Sequence, residues 1–301
     1  MITILGPTAC GKTHIATEVA YRLGGEIISA DSRQVFRGMD IGTGKDLSEY
    51  RIHGVEIPYH LIDICEPGFE YNAYMFQRDF YRAYDAVTAS GKTPILCGGT
   101  GLYMESVLLR YPFCDVPENP EIRTELAAKT DEELTEILKS YVKLHNHTDT
   151  ESRDRLIRAI EIQMVQRSAD IELRPPIEGS VFGVNYPRET VMQRIRTRLV
   201  ERLETGMVEE IRELLDSGVS AERLKRYGLE YRYVTMFLEK EISYDELVEQ
   251  LNVAIRQFAK RQMTWFRRME RKGVPITWLD HNLTFEEEID FILEKYASLQ
   301  K

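Results

Sequence analysis

The sequence predicts an α/β fold, a doubly wound parallel sheet with a helical insertion domain, and three observations carry that prediction. The apolar run Met1 to Leu5 leads into Gly6-Pro7-Thr8-Ala9-Cys10-Gly11-Lys12-Thr13, and an amphipathic stretch from His14 to Leu23 follows, which reads strand, loop, helix. Further short apolar runs at Glu26 to Ala30, Pro94 to Cys97 and Val181 to Val184 read as buried strands separated by helical patterns. Past Pro112 the alternation stops, and the pattern is helical until Arg174-Pro175-Pro176. The expected layout is a first core segment at 1–112, a helical insertion at 113–178, and core completion with carboxyl-terminal helices at 179–301.

The first loop has the spacing G-x-x-x-x-G-K-[ST], in which glycines let the backbone curl until successive N–H groups point at phosphate oxygens, at the positive end of the following helix. On this reading Gly6 to Thr13 hold a di- or triphosphate, Lys12 meets a terminal phosphate and Thr13 a magnesium ion. The fold is therefore P-loop NTPase-like. The reaction stays open, because this cradle serves many chemistries.

The strand Glu26 to Ala30 ends in Asp31-Ser32, at the carboxyl edge where doubly wound sheets contact ligands. Arg33 to Lys45 is rich in glycine and charge with little periodicity, which suits a loop over a site. Pro58-Tyr59-His60 also reads as loop, and Leu61 to Ile64 as a short apolar run. From Tyr71 to Ser90 the residues Tyr74, Met75, Phe80, Tyr81, Tyr84 and Val87 recur at helical spacing, an aromatic stripe for the core. Pro94 to Cys97 then runs into Gly98-Gly99-Thr100-Gly101 and a helix from Leu102, a third strand end bearing polar groups beside the P-loop and Asp31.

In the insertion, Thr130-Asp131-Glu132-Glu133 is a capping box for a helix to about Leu144. Asp154 to Gln166 forms another, with Leu156, Ile157, Ile160 and Met164 on one face and Arg155 and Arg158 on the other, either surface charges or phosphate contacts. A long helix from near Arg188 carries Arg194, Arg196 and Arg198, of which Arg194 and Arg198 share a face. Ser243-Tyr244-Asp245-Glu246 caps a later helix, and Ile276 to Leu279 is a candidate last strand.

Composition narrows the classes. No apolar run is long enough for a membrane span, and Cys10, Cys65, Cys97 and Cys114 form no C-x-x-C pair, so neither a zinc site nor a disulfide framework is indicated. Met1 lies so close to the first strand that no signal or transit peptide is expected, and the expected location is cytoplasmic. The net charge of -10 argues against a nucleic-acid partner, but Arg256 to Lys272 holds seven basic residues against Glu270, a local charge of +6, with Phe258, Trp265 and Phe266 interleaved. Two readings stand: a solvated helix with aromatics in the core, or a nucleic-acid surface.

Taken in order, Gly6 to Thr13, Asp31-Ser32-Arg33-Gln34-Val35-Phe36, Gly38-Met39-Asp40-Ile41-Gly42-Thr43-Gly44-Lys45 and Gly98-Gly99-Thr100-Gly101-Leu102-Tyr103 resemble the tRNA dimethylallyltransferase family. Arg155-Leu156-Ile157-Arg158-Ala159, Arg194-Ile195-Arg196-Thr197-Arg198 and Lys260-Arg261-Gln262-Met263-Thr264-Trp265 extend the resemblance over nearly the whole chain. Cys10 and Phe36 stand where the family usually has serine and tyrosine, and Gly228 to Arg232 fits its glycine-tyrosine-arginine stretch only loosely. No cysteine- and histidine-containing tail follows, so a bacterial type is expected.

The resemblance implies transfer of a dimethylallyl group from dimethylallyl diphosphate to the N6 amine of the adenosine just 3′ of the anticodon, with release of diphosphate. It implies Asp31 as the base that takes the amine proton, with a magnesium-coordinating or loop-capping carboxylate as the alternative role, and Thr100 as the residue that orients the acceptor site. Lys12, Mg²⁺ near Thr13, and Arg198 would neutralise the departing diphosphate. The implied contacts to the tRNA anticodon stem-loop are Asp31, Ser32, Arg33 and Gln34, then Asp154, Arg155, Leu156, Ile157 and Arg158, and the neighbourhood of Tyr227 to Arg232. A monomer with no membrane partner is expected. The rival readings are a small-molecule kinase, a transferase that prenylates free adenine nucleotides, and a nucleotide-switched RNA-binding protein; the helical insertion favours an acceptor as large as tRNA.

Overall fold

The computed structural model describes residues 1–142, 152–168 and 171–299. It divides into two compact units, Met1–Leu109 with Pro176–Lys301, and Arg110–Pro175. The first unit begins with β1 (Ile2–Leu5) and α1 (Lys12–Leu23), joined by the glycine loop. A side chain at Gly6 has no room, since a Cβ would lie 2.6 Å from the Val184 carbonyl oxygen and 2.7 Å from Cys10 Sγ. Next come β2 (Glu26–Ala30), the small hairpin of β3 (Arg51–Ile52) and β4 (Val55–Glu56), and β5 (Tyr59–His60). α2 (Ala73–Ala89) starts at Asn72, whose side chain accepts the Met75 N–H at 2.9 Å, and leads to β6 (Pro94–Gly98) and α3 (Gly101–Leu108).

The second unit carries α4 (Pro120–Ala127), α5 (Asp131–Tyr141) and α6 (Arg153–Ser168) around a core of Leu126, Leu134, Leu138, Leu156, Ile157 and Ile160. The Thr130 and Glu133 capping box opens α5 as expected; the helix ends at Tyr141, and Leu144 lies outside the described residues. Met164, expected on the apolar face of α6, is 36% exposed.

The chain then returns as β7 (Ser180–Gly183), α7 (Arg188–Glu204), α8 (Met207–Asp216), the short α9 (Ala221–Leu224), α10 (Leu229–Leu238), α11 (Tyr244–Arg271), β8 (Ile276–Trp278) and α12 (Phe285–Ser298). Six strands form one parallel sheet in the order β5-β2-β6-β1-β7-β8, with Ile2 opposite both Ile95 and Ser180. Alternate residues feed two layers. Ile2, Ile4, Ile27 and Ile95 pack with α1 and α12 on one face; Leu5, Ile28 and Leu96 pack with α2, α3 and α11 on the other. Burial on both faces explains why these strands read as continuous apolar runs.

Of the expected α2 stripe, Phe80 and Val87 are buried and Tyr81 and Tyr84 pack against the core, whereas Tyr74 and Met75 are half-buried and outside it; Phe76, beside the stripe, is buried and stacks on Tyr103 at 4.1 Å between ring centres. One reading is corrected. Tyr59 and His60 form the edge strand beside Ile27 and Ile28, and are not loop. Two residues between Pro58 and Leu61, the latter at φ 63°, are too short a run to show alternation. Among the described residues no helix is long and apolar enough to cross a membrane.

Candidate active site

Thr8, Ala9, Gly11, Lys12 and Thr13 line a cleft at the carboxyl edge of the sheet, together with Asp31, Gly98 and Arg198. Left-handed residues curl the loop at Gly11 (φ 77°), one of the motif's glycines, and at Ala9 (φ 62°), which is not one. Gly6, Pro7 and Cys10 do not line the cleft. Pro7 has no N–H to offer, and Cys10 is buried, which pushes its thiol pKa up and leaves an uncharged filler where a hydroxyl would stand. Cys97 sits behind the loop, its Sγ 3.8 Å from the Lys12 carbonyl oxygen, and burial pushes its thiol up to about 12.

Asp31 follows directly on β2. Its Oδ1 accepts the Arg33 N–H at 3.0 Å, closing a turn that fixes the carboxylate at the strand end. Thr100 holds the same turn from the next strand: its Oγ1 accepts the Ser32 N–H at 3.0 Å, and its own N–H donates to the Ala30 carbonyl at 3.1 Å. Thr100 therefore positions Asp31 and Ser32 through backbone bonds. The Gln34 side-chain amide also stays inside the turn, bonding to Ser29 Oγ at 3.0 Å and to the Gly44 carbonyl at 3.2 Å.

The Arg33 side chain lines the cleft too, with its Nε 3.9 Å from Asp31 Oδ1, its Nη1 2.6 Å from Glu230 and its guanidinium over Phe258 at 5.6 Å. Burial works against its charge, but Glu230 and Asp31 outweigh burial and raise its pKa. The rest of the Arg33 to Lys45 loop is built as firmly. Lys45 is buried, with its Nζ donating to the Phe36 carbonyl at 2.8 Å and pairing with Asp40 at 2.6 Å and with Asp63. Glu210 on α8 accepts N–H groups of Asp40, Ile41 and Gly42 at 2.8, 2.6 and 3.0 Å, and the Tyr231 hydroxyl at 2.7 Å. Glu230 and Tyr231, in the loosely matching segment, thus serve the loop's architecture, and the Tyr227 hydroxyl accepts the Gly68 N–H. Asp46 ends the loop between two arginines of α7, Arg198 at 3.0 Å and Arg202 at 3.3 Å. Arg194 instead stacks on Tyr186 at 4.1 Å, and Arg196 pairs with Glu249.

The basic run on α11 divides by residue. Phe266 and Met269 are core, Arg268 and Lys272 pair with the buried Glu105 at 3.8 and 2.6 Å, and Arg256 contacts Met192 sulfur at 3.6 Å. Lys260, Arg261, Arg267 and Arg271 are exposed. Gln262, from the same helix, bonds both the P-loop and the Gly99 loop, a role no spacing signals. Gly101 lies so close to Trp265 that a Cβ would overlap the indole.

In the second unit, Leu156 and Ile157 fill its core, so their side chains are not presented outward. Asp154 and Arg155 are exposed, while Arg158 pairs with Glu161 at 3.3 Å and donates to the Val116 carbonyl at 2.5 Å.

The cleft lining suits magnesium. Thr13 with the carboxylates of Asp31 and Glu49 offers oxygen donors, the preference of a hard cation, while Asp46 is engaged by Arg198 and Arg202. Among the described residues no group of three acidic, histidine or cysteine side chains makes a cage, so phosphate oxygens and water would complete the ion's shell.

A family model described as IPP transferase matches residues 34–269. The chain is 54% identical to the tRNA dimethylallyltransferase 2 of Phocaeicola vulgatus, across 97% of this chain and 96% of that protein. It is 53% identical to the tRNA dimethylallyltransferase 1 of Parabacteroides distasonis, across 96% and 95%. The crystal structure of a tRNA delta(2)-isopentenylpyrophosphate transferase from Staphylococcus epidermidis is similar at a TM-score of 0.71 and 30% identity, covering 100% of this chain and 99% of that one.

Proposed function

The chain belongs to the IPP transferase family, whose transferase activity on tRNA it shares, and we propose that its cleft takes dimethylallyl diphosphate and delivers the allyl carbon to the N6 amine of the adenosine 3′ of the anticodon. The observation that carries this reading is the convergence on one cleft of the P-loop, Asp31 and Arg198. An adenine amine is a weak nucleophile because its lone pair is delocalised into the ring. As the N6–C1 bond forms and the C1–O bond breaks, the electron pair of the broken bond stays with diphosphate, and the amine proton must go to a base. Asp31 is that base. One of its oxygens is engaged by the Arg33 N–H, and among the described residues no hydrogen bond holds the other.

The leaving diphosphate gains charge where P-loop N–H groups, Lys12 and Arg198 are already placed, so little reorganisation is needed at the moment of reaction. Magnesium, held by the Thr13 hydroxyl, would add charge neutralisation at the diphosphate. The exposed α11 cations Lys260, Arg261 and Arg267 would meet tRNA phosphates; in the second unit Asp154 and Arg155 are exposed, while Arg158 is engaged by Glu161 and the Val116 carbonyl. The reading includes a monomer working in the cytoplasm, where a tRNA substrate would be met.

The test is incubation of labelled dimethylallyl diphosphate with tRNA lacking the modification. Label should appear on the adenosine 3′ of the anticodon with diphosphate released, and Lys12→Ala should abolish most of it. RNA-stimulated nucleoside triphosphate hydrolysis without label transfer would overturn the reading in favour of a nucleotide switch.

A further inference from the structure

Arg198 and Arg202 lie one helical turn apart on α7, and their Nη2 atoms both reach the same oxygen of Asp46, at 3.0 and 3.3 Å. One carboxylate between two guanidiniums leaves that pair one anion short, and across the whole cleft lining Lys12, Arg33, Arg198 and Arg202 face Asp31, Asp46 and Glu49, four cations to three carboxylates. The surplus is not solvent-relieved at Arg202, whose side chain is only 16% exposed. Burial and the neighbouring Arg198 lower its pKa despite Asp46. A guanidinium fork is best satisfied by several oxygens at once, which one shared Oδ2 cannot provide.

The backbone passes close by this arginine. Gly44, at φ 69°, comes so near that a Cβ there would press on the Arg202 guanidinium, and both residues line the cleft.

Resting on the reading that this cleft binds a prenyl diphosphate, we propose that Arg202 is a second diphosphate-contacting residue beside Arg198, and that Asp46 is a placeholder anion that diphosphate displaces. In transfer, the two forks would accept the charge that arrives on the diphosphate as its C1–O bond breaks. Asp46 keeps the forks aligned beforehand and, being 42% exposed, can move off into water.

Inorganic pyrophosphate with magnesium is the probe, titrated calorimetrically into the full chain, alongside single-turnover transfer from dimethylallyl diphosphate to tRNA. Arg202→Gln should weaken pyrophosphate binding about tenfold or more and slow transfer by a similar factor, as loss of a charge-assisted fork predicts. Arg202→Lys, which keeps charge and stem and serves if the glutamine variant does not fold, should recover only part, because an ammonium cannot fork. Asp46→Asn should tighten pyrophosphate binding by about threefold or more, since a competing anion is gone. Pyrophosphate affinity within twofold of the parent in the Arg202 variants would overturn its role, and Asp46→Asn binding no tighter than the parent would overturn the placeholder. Lys12→Ala separates the two levels: if it weakens pyrophosphate while Arg202 variants do not, only the second clamp fails, and if neither matters the cleft assignment fails.

Discussion

The Gln262 side-chain amide holds two loops at once, its Oε1 accepting the Thr8 N–H at 2.8 Å and its Nε2 donating to the Gly99 carbonyl at 2.9 Å. The P-loop and the loop that leads to Thr100 are thereby locked to one point of α11. Gln262→Ala leaves a buried N–H and a carbonyl unpaired, at a cost of about 1–3 kcal/mol. Urea unfolding should show that loss, and KM for the prenyl diphosphate should rise several-fold. Gln262→Glu keeps the acceptor but sets a carboxylate oxygen against the Gly99 carbonyl, so it should do no better than alanine. Stability and KM unchanged in the alanine variant would remove the amide from the site's support.

Asp31→Asn retains an oxygen for the Arg33 N–H, so the turn should survive while the proton acceptor is lost. For a general base, kcat should fall by about a hundredfold or more with near-normal binding of both substrates. The check is single-turnover transfer across a magnesium titration. A defect rescued by high magnesium would reassign Asp31 to the metal.

Thr100→Val keeps the shape but removes the acceptor of the Ser32 N–H. Loss of that bond should cost about 1–2 kcal/mol of transition-state alignment, near tenfold in kcat, with KM for the diphosphate little changed. Thr100→Ser should restore most of the rate. A valine variant that fails in KM and not in kcat would place Thr100 in donor binding.

Arg261 and Arg267 are exposed on α11, whereas Arg268 faces the buried Glu105. Arg261→Gln with Arg267→Gln should flatten the salt dependence of tRNA binding by about one to two units of slope, with prenyl diphosphate affinity intact. Arg268→Gln should instead lower stability. Filter-binding across a salt series and thermal unfolding distinguish the two, and an unchanged slope would assign the exposed pair to a solvated face.

In the second unit Glu161 is buried among Arg123, whose Nε and Nη2 donate at 3.0 to 3.1 Å, the Asn119 N–H at 3.0 Å and Arg158 at 3.3 Å. Burial alone would raise its pKa, but Arg123, Asn119 and Arg158 outweigh burial and hold it below the usual carboxylate range. A depressed carboxylate stabilises the fold above its unfolded pKa, and that stability drains as pH falls through the folded value. Glu161→Gln should cost about 3 kcal/mol near neutrality, and the difference from the parent should shrink as pH drops below roughly 4. Denaturation series at pH 7 and in that acid range check this; a pH-independent difference would mean that packing, not charge, is lost.

The P-loop, Asp31 and the Gly98 to Gly101 loop were legible in the sequence because each is local: an apolar strand, the residues at its carboxyl end, and the glycines that let the chain turn there. Family resemblance supplied Arg198. Charge spacing on α7, however, grouped Arg198 with Arg194, whereas in three dimensions Arg198 joins Arg202 on Asp46 and Arg194 stacks on Tyr186. The basic run on α11 likewise reads as one patch, yet the buried Glu105 of α3 engages two of its cations and leaves others exposed. Lys45, in a loop that suited a site, is buried between carboxylates, and Tyr59 with His60 becomes a strand only because β2 lies alongside. Periodicity and turn chemistry are properties of neighbours in the chain, so the sequence alone determined the strand ends and the phosphate cradle. Which distant charge or amide meets which is set by packing of the sheet and helices, and only the tertiary structure decided that Gln262 would fasten the cradle and that Arg202 would reach it.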